Sequence, residues 1–238
     1  MSGPWAPRRF WTAAEAAPAA GGFAVHLDGR PVRTPARRAL VVPSAALARA
    51  MADEWQAQDR LLRPETMPLT RAANSALDKV APQRAAVIAE LAGYGATDLL
   101  CYRAEAPAEL AARQAAGWDP WLDWARDDLG AALRITRGVV PVDQPAAALA
   151  ALRAPLDAAC DFTLAGLHDL VAISGSLVLA LAVQAGRLTG ERAFALSRID
   201  EAFQIERWGR DDEAEAAEAA RRTGLLQAER FLSLLRAG

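Results

Sequence analysis

Asp28 and Gly29 stand between two runs in which apolar and polar residues alternate: Phe23, Val25 and Leu27 precede them, and Val32 and Thr34 follow. An Asp-Gly pair between alternating runs can take the left-handed torsions of a two-residue turn, so the segment is committed to an antiparallel hairpin. A strand around Phe10 to Thr12 and another at Leu40 to Val42 would widen the hairpin into a small sheet, and such a sheet needs a cover. Ser44, after Pro43, reads as the N-cap of a helix that brings Leu47, Met51 and Trp55 onto one stripe. That helix can be the cover. Pro64 and Pro68 then predict extended chain, followed by a helix from about Arg71 to Lys79.

From Ala81 onward the apolar spacing is helical almost throughout. One helix starts near Pro82, carries Val87, Ile88 and Leu91, and stops at Gly93. A second places Trp118, Leu122, Ala125 and Leu129 on one stripe and stops at Gly130. A break over 133–145 can hold a strand or a turn. Further helices are expected from about Ala146, Leu156, Leu167, Gly190 and Asp211, separated by Pro155, by Gly186 to Gly190 and by Gly209. The expected fold is α+β, with a small antiparallel β-rich domain over 1–80 and a larger α-helical domain over 81–238. No period of twenty to fifty residues repeats, so the chain is no solenoid.

The net charge of -2 supplies no field to draw in nucleic acid or an anionic membrane surface, and the basic residues are scattered. No nucleic-acid partner is expected. The most apolar stretch, Leu170 to Val183, is too short to span a bilayer and reads as a buried helix, so no membrane insertion is expected either. The N-terminus has no apolar run of secretory length. Cys101 and Cys160, far apart and without a metal-binding spacing, fit a reducing compartment. Among 27 basic residues only Lys79 is lysine, a bias that points to a GC-rich genome and a bacterial cytoplasm.

Residues able to do chemistry are present, but not in reactive spacings. The glycines at Gly93 and Gly95 lack a third and follow a helix, where a phosphate-cradling loop would follow a strand. His26 and His168 have no ExxH or HExxH neighbour, so neither a metal nor a cofactor is expected. Ser174 and Ser176 form no GxSxG elbow. The strongest candidate for a small-molecule enzyme is segment 118–128, where Asp119, Asp123 and Asp127 share a helix face beside three tryptophans. Opposed to that is a plain reading in which the carboxylates form a solvated face.

The segment Leu196 to Gly209, "LSRIDEAFQIERWG", has two apolar sides. At about 100° per residue, Leu196, Ile199 and Phe203 fall within about 60° of one another, the stripe a helix needs to join its own core. A second stripe, nearly opposite, carries Phe194, Ile205 and Trp208, with Glu201 inside it and Arg198 as a neutralising neighbour. A helix apolar on two faces is either buried on both or has one face for a partner. Asp200, Glu201 and Glu206 diverge too far to act as a general acid and base, and no catalytic residue is expected.

Six motifs, "LDGRPVRTP", "VPSAALARAMADEWQAQ", "TMPLTRAANSALD", "TDLLCYRAE", "WDPWLDWA" and "LSRIDEAFQIERWG", occur in register over about two hundred residues. Together they resemble the family of assembly chaperones that bind the alpha subunit of the F1 sector of ATP synthase, found in mitochondria and alphaproteobacteria. The resemblance implies a β-rich domain followed by a helical one, no catalytic activity, and transient binding of the free alpha subunit until beta subunits replace it. The family's glutamate falls on Glu201, its aromatic-glutamine pair on Phe203 and Gln204, and its Trp-Gly on Trp208 and Gly209. Its first-helix tryptophan falls on Trp55. Mitochondrial relatives often carry three acidic residues where this chain has Asp200, Glu201 and Ala202. The expected client-binding residues are therefore Glu201, Trp208, Ile205, Phe194 and Gln204. Trp55, Asp28, Gly29 and Gly209 are expected to be structural, and the chain to act as a monomer.

Overall fold

The hairpin forms where the Asp-Gly signal puts it. In the computed structural model, which describes residues 8–138, 140–209 and 212–237, β2 (Gly22–Leu27) pairs antiparallel with β3 (Arg30–Pro31), and Leu27 faces Arg30 across the turn. Asp28 and Gly29 have φ of 47° and 78°, the left-handed torsions that a two-residue turn of this hand requires. The Asp28 carboxylate accepts the Thr12 and Ala13 N–H groups at 3.1 and 2.9 Å. The donated bonds, from Ala13 first, hold its carboxyl below the usual range.

β2 is the central strand. It also pairs antiparallel with β1 (Ala14–Ala19) and with β4 (Val41–Val42). The first strand therefore lies downstream of the expected Phe10 to Thr12, and Phe10 is 77% exposed. Asp28 occupies the amides just before Ala14, so pairing begins at Ala14 opposite Leu27.

α1 (Ala45–Gln56) covers the sheet, with the Ser44 side chain accepting the Leu47 N–H at 3.3 Å. Leu47 and Met51 are fully buried against Val25, Leu27, Leu40 and Val42, and Trp55 packs edge-on to Trp11 at 5.2 Å. The next helix starts earlier than expected. α2 (Pro68–Ser75) has Pro at its first position and runs on through a wider turn, Ala76–Val80. Met67 cannot cap it. Glu54 of α1 does so instead, accepting the Leu69 and Thr70 N–H groups and the Thr70 hydroxyl at 2.7 to 2.8 Å. Burial pushes the Glu54 carboxyl up, against the pull of those donors. Glu54→Gln keeps the shape but loses the charge-assisted bonds, and is expected to lower stability by about 1 to 2 kcal/mol in urea titration.

The remaining chain is helical: α3 (Arg84–Gly93), α4 (Ala108–Leu129), α5 (Ala146–Ala158), α6 (Asp161–Ser174), α7 (Leu177–Gln184), α8 (Gly190–Ser197), α9 (Ile199–Trp208) and α10 (Asp212–Arg236). The break before α5 holds a strand, β6 (Thr136–Arg137), parallel to β5 (Tyr102–Arg103). This is the α+β order expected, with short antiparallel strands first and a larger helical region after.

Boundaries in the helical region also differ from expectation, and α6 starts at Asp161 where the spacing predicts helices from about Leu156 and Leu167. Pro155 lies inside α5, where fully buried Leu152 and Leu156 carry the helix one further turn past it. The buried stretch Leu170 to Val183 is two helices, broken at Gly175 with φ 70°. The stretch Leu196 to Gly209 is also broken, at Arg198.

Two compact units divide the chain. Residues up to Arg84, with Cys160–Gly166 and the chain from Arg230, form one, and Ala85–Ala159 with Leu167–Glu229 form the other. Among the described residues no helix is long and apolar enough to cross a membrane.

Candidate binding surface on the α8 and α9 segment

Arg198 takes φ -116° and ψ 17°, which turns the chain between α8 and α9 and divides the two apolar sides read from the sequence. Phe194 goes inward with α8. It is 6% exposed, so it belongs to the core and not to the surface where the periodicity of a continuous helix put it. On α9, Phe203 is buried, Ile205 and Glu201 are half-buried, and Gln204 is exposed. Trp208 is 77% exposed at the helix end, and Gly209, with φ 88°, stops the helix while its N–H reaches the Ile205 carbonyl at 2.9 Å. The exposed indole leaves apolar area on the surface at the end of α9.

α9 is held by α4. The buried indole of Trp118 donates to the Leu196 carbonyl at 2.8 Å, and Gln114, also buried, donates to Asp200 at 2.6 Å while accepting the Ala104 N–H at 2.8 Å. Gly117 leaves room for this approach: a Cβ there would lie 2.7 Å from Ile199 Cδ1 and 3.1 Å from Leu196 Cδ2. Over Phe203 sit two guanidinium groups, Arg207 at 4.3 Å and Arg113 at 5.1 Å from the ring centre. Arg113 also bridges Glu206 at 2.6 Å and Glu109 at 2.8 Å, and Arg207 reaches Glu109 at 2.9 Å. The Arg113 side chain, followed by that of Arg207, keeps the Glu109 carboxyl below its ordinary range. These exposed ion pairs orient the helix more than they stabilise it.

Glu201 is paired within its own segment, at 2.6 Å from Arg198, the neutralising neighbour anticipated from the spacing. Sequence reasoning missed Glu109, Arg113 and Gln114. Only the helical stripe of Trp118 signalled that α4 had a buried side at all.

The acidic, Trp-rich segment does not form an enclosed site. Asp119 pairs with Arg103 at 2.7 Å, while Asp123 and Asp127 face solvent and both pair with Arg126. The small-molecule enzyme reading required inward-facing carboxylates and so loses its support. Ser174 and Ser176 serve the start of α7, where the Ser176 hydroxyl accepts the Leu179 N–H at 3.1 Å. Burial pushes the Cys101 thiol up to about 12, which makes it unreactive. His168 lies 3.6 Å from Glu90 and from Asp169, and the bond with Asp169 raises its pKa. Among the described residues no group of three His, Cys, Asp or Glu side chains could hold a metal.

Trp208 thus stands as an exposed aromatic at the end of a helix held against α4. Residues 8–126, half of the chain, match the family described as ATP12 chaperone protein. Atp12 from Paracoccus denitrificans is 54% identical, with a TM-score of 0.94 over 96% of this chain and 98% of that one, and a point mutant of it matches equally well. The Atu1473 protein of Agrobacterium tumefaciens is 42% identical, with a TM-score of 0.90 over 97% of this chain and 86% of that one. The mitochondrial protein atp12 of Schizosaccharomyces pombe is 26% identical over 222 residues, covering 87% of this chain and 75% of the relative. The chain belongs to the ATP12 chaperone family.

Proposed function

We propose that this protein is an assembly chaperone of the F1 sector of ATP synthase that captures the unassembled alpha subunit in a bacterial cytoplasm. The alpha subunit's subunit-facing apolar surface is covered until beta subunits take it over, and the exchange needs only that beta bind better, not ATP hydrolysis. The contact face is α9, with Trp208 as its apolar anchor, Ile205 and Gln204 beside it, and Glu201 as its charged member. Exposure of Trp208 at the end of a helix anchored through Phe203 and Asp200 is the observation that carries this reading.

The test is capture of purified alpha subunit by the full chain, followed by light scattering and by anisotropy. Trp208→Ala is expected to weaken capture about 30-fold, near 2 kcal/mol, as for an aromatic hot spot. Glu201→Lys should weaken it comparably, and both variants should melt close to the parent. Added beta subunit should release alpha from the parent protein. Undiminished capture by both variants would refute the assignment of the face; failure of the parent protein to bind alpha would refute the client.

A further inference from the structure

Four arginines, Arg30, Arg33, Arg37 and Arg38, fall within nine residues that contain no acidic side chain. They lie on and just beyond the β2 to β3 hairpin, on a loop tied at several points. The Thr34 N–H donates to the Arg38 carbonyl at 2.9 Å, the Arg37 N–H to the Thr34 carbonyl at 2.8 Å, and the Arg38 N–H to the Thr34 hydroxyl at 3.1 Å. From outside the loop, Asp78 accepts the Thr34 hydroxyl at 2.8 Å and the Ala36 N–H at 3.0 Å. Arg38 is consumed in the same clasp, donating to the Leu77 carbonyl at 2.6 Å with its Nε 3.9 Å from Asp78.

The other three guanidinium groups are not used this way. Arg30, Arg33 and Arg37 are exposed, and among the described residues none has a carboxylate within ion-pairing distance; Arg33 gives one N–H to the Arg37 carbonyl at 3.1 Å. Exposed arginines elsewhere fall in both classes: Arg113, Arg126, Arg207 and Arg222 each face a carboxylate, whereas among the described residues Arg49, Arg71 and Arg187 do not, so it is the concentration of three such cations within eight residues that marks this loop. Arg37 has φ 65°, a left-handed torsion that costs a side-chain-bearing residue conformational energy. A strained residue persists where its surroundings over-determine it, and such residues gather at functional sites. Here the Asp78 clasp supplies the constraint, and the result is a stiff loop that holds bare cations outward.

We propose that loop 30–38 is a docking surface for a carboxylate-rich segment of a partner polypeptide. Guanidinium forks match carboxylates two bonds at a time, and a preformed loop loses little freedom on binding. Nucleic acid fits less well, because three bare cations meet few phosphates and the stretch offers no aromatic for base stacking. An anionic membrane fits less well too, since Val32, the only large apolar side chain of the stretch, packs against the core. The proposal does not depend on the α9 face or on the identity of its client.

The experiment uses the full chain and a fluorescent peptide of alternating Glu and Ala about a dozen residues long, read by anisotropy at about 50 mM salt. Binding is expected to weaken as salt rises, and the combined Arg30→Gln, Arg33→Gln, Arg37→Gln variant should lose at least about tenfold in affinity. The Arg30→Gln, Arg37→Gln pair, which leaves the Arg33 hydrogen bond in place, should lose most of that. Parent-like binding by these variants, or no binding by the parent protein, overturns the proposal. So does tighter binding of an oligonucleotide of equal charge or of phosphatidylserine vesicles, or a parent dimer that the triple variant dissociates.

Discussion

Asp98→Ala is expected to lower the stability of this protein by about 4 kcal/mol, measured by urea unfolding followed through far-UV circular dichroism. Asp98 is fully buried and works as a cap in trans. Its carboxylate accepts the Ser176 hydroxyl at 2.8 Å, the Val178 N–H at 3.0 Å and the Leu100 N–H at 3.1 Å, so it closes the start of α7 and its own turn together. Alanine strands three donors away from water, at about 1 to 3 kcal/mol each and less than additively. Against a total stability of about 5 to 15 kcal/mol the loss is large. Ser176→Ala removes one of these partners together with the cap that the same hydroxyl gives the Leu179 N–H, and should cost about 1 to 2 kcal/mol.

The pH dependence at this site has a definite sign. Burial pushes the Asp98 carboxyl above its ordinary range, in opposition to the hydrogen bonds it accepts. The folded state therefore holds the proton more tightly than the unfolded chain does. Its contribution to stability falls as pH rises from the unfolded value of 3.8 through the raised folded value. A slope of the opposite sign that vanishes in Asp98→Asn would show that the donors win over burial.

Asp98 also shows where sequence reasoning reaches and where it stops. "TDLL" stood out as a motif, but nothing in it indicates that the aspartate caps a helix eighty residues later. Local chemistry was legible: Asp28 and Gly29 specify their turn by backbone torsion, and Ser44 specifies the start of α1 by its hydroxyl. β1 was misplaced because its alanine-rich sequence gives almost no alternation to read. Arg198 is an ordinary helix former, so the periodicity ran straight through it and carried Phe194 onto the wrong side. What breaks the helix there is tertiary, namely the grip of Gln114 and Trp118 on either side of the joint. Trp208 was legible as an apolar residue outside the core stripe, whereas Glu109 and Arg113 are set by helix pairing alone and leave no local trace.

Trp118→Ala is expected to cost about 3 to 5 kcal/mol by the same measurement, because it empties the space of a fully buried indole. It also frees the Leu196 carbonyl, and it deprives the buried Arg103 of the ring that its guanidinium covers at 5.2 Å. Trp118→Phe is the sharper variant. It fills most of the volume and removes only the indole N–H and some ring area, for about 1 to 2 kcal/mol. That cost matches the loss expected for Ser176→Ala, so the two can be compared at nearly equal stability. Leu196 belongs to the last turn of α8, two residues before the Arg198 joint, so a shift of its carbonyl is transmitted to the pose of α9. If α9 is the capture face, Trp118→Phe should weaken binding of the alpha subunit several-fold while Ser176→Ala leaves it unchanged. Equal capture by the two would mean that Trp118 holds the helical unit together without setting the orientation of α9, and that Trp208 tolerates a looser support than the contacts of α9 with α4 imply.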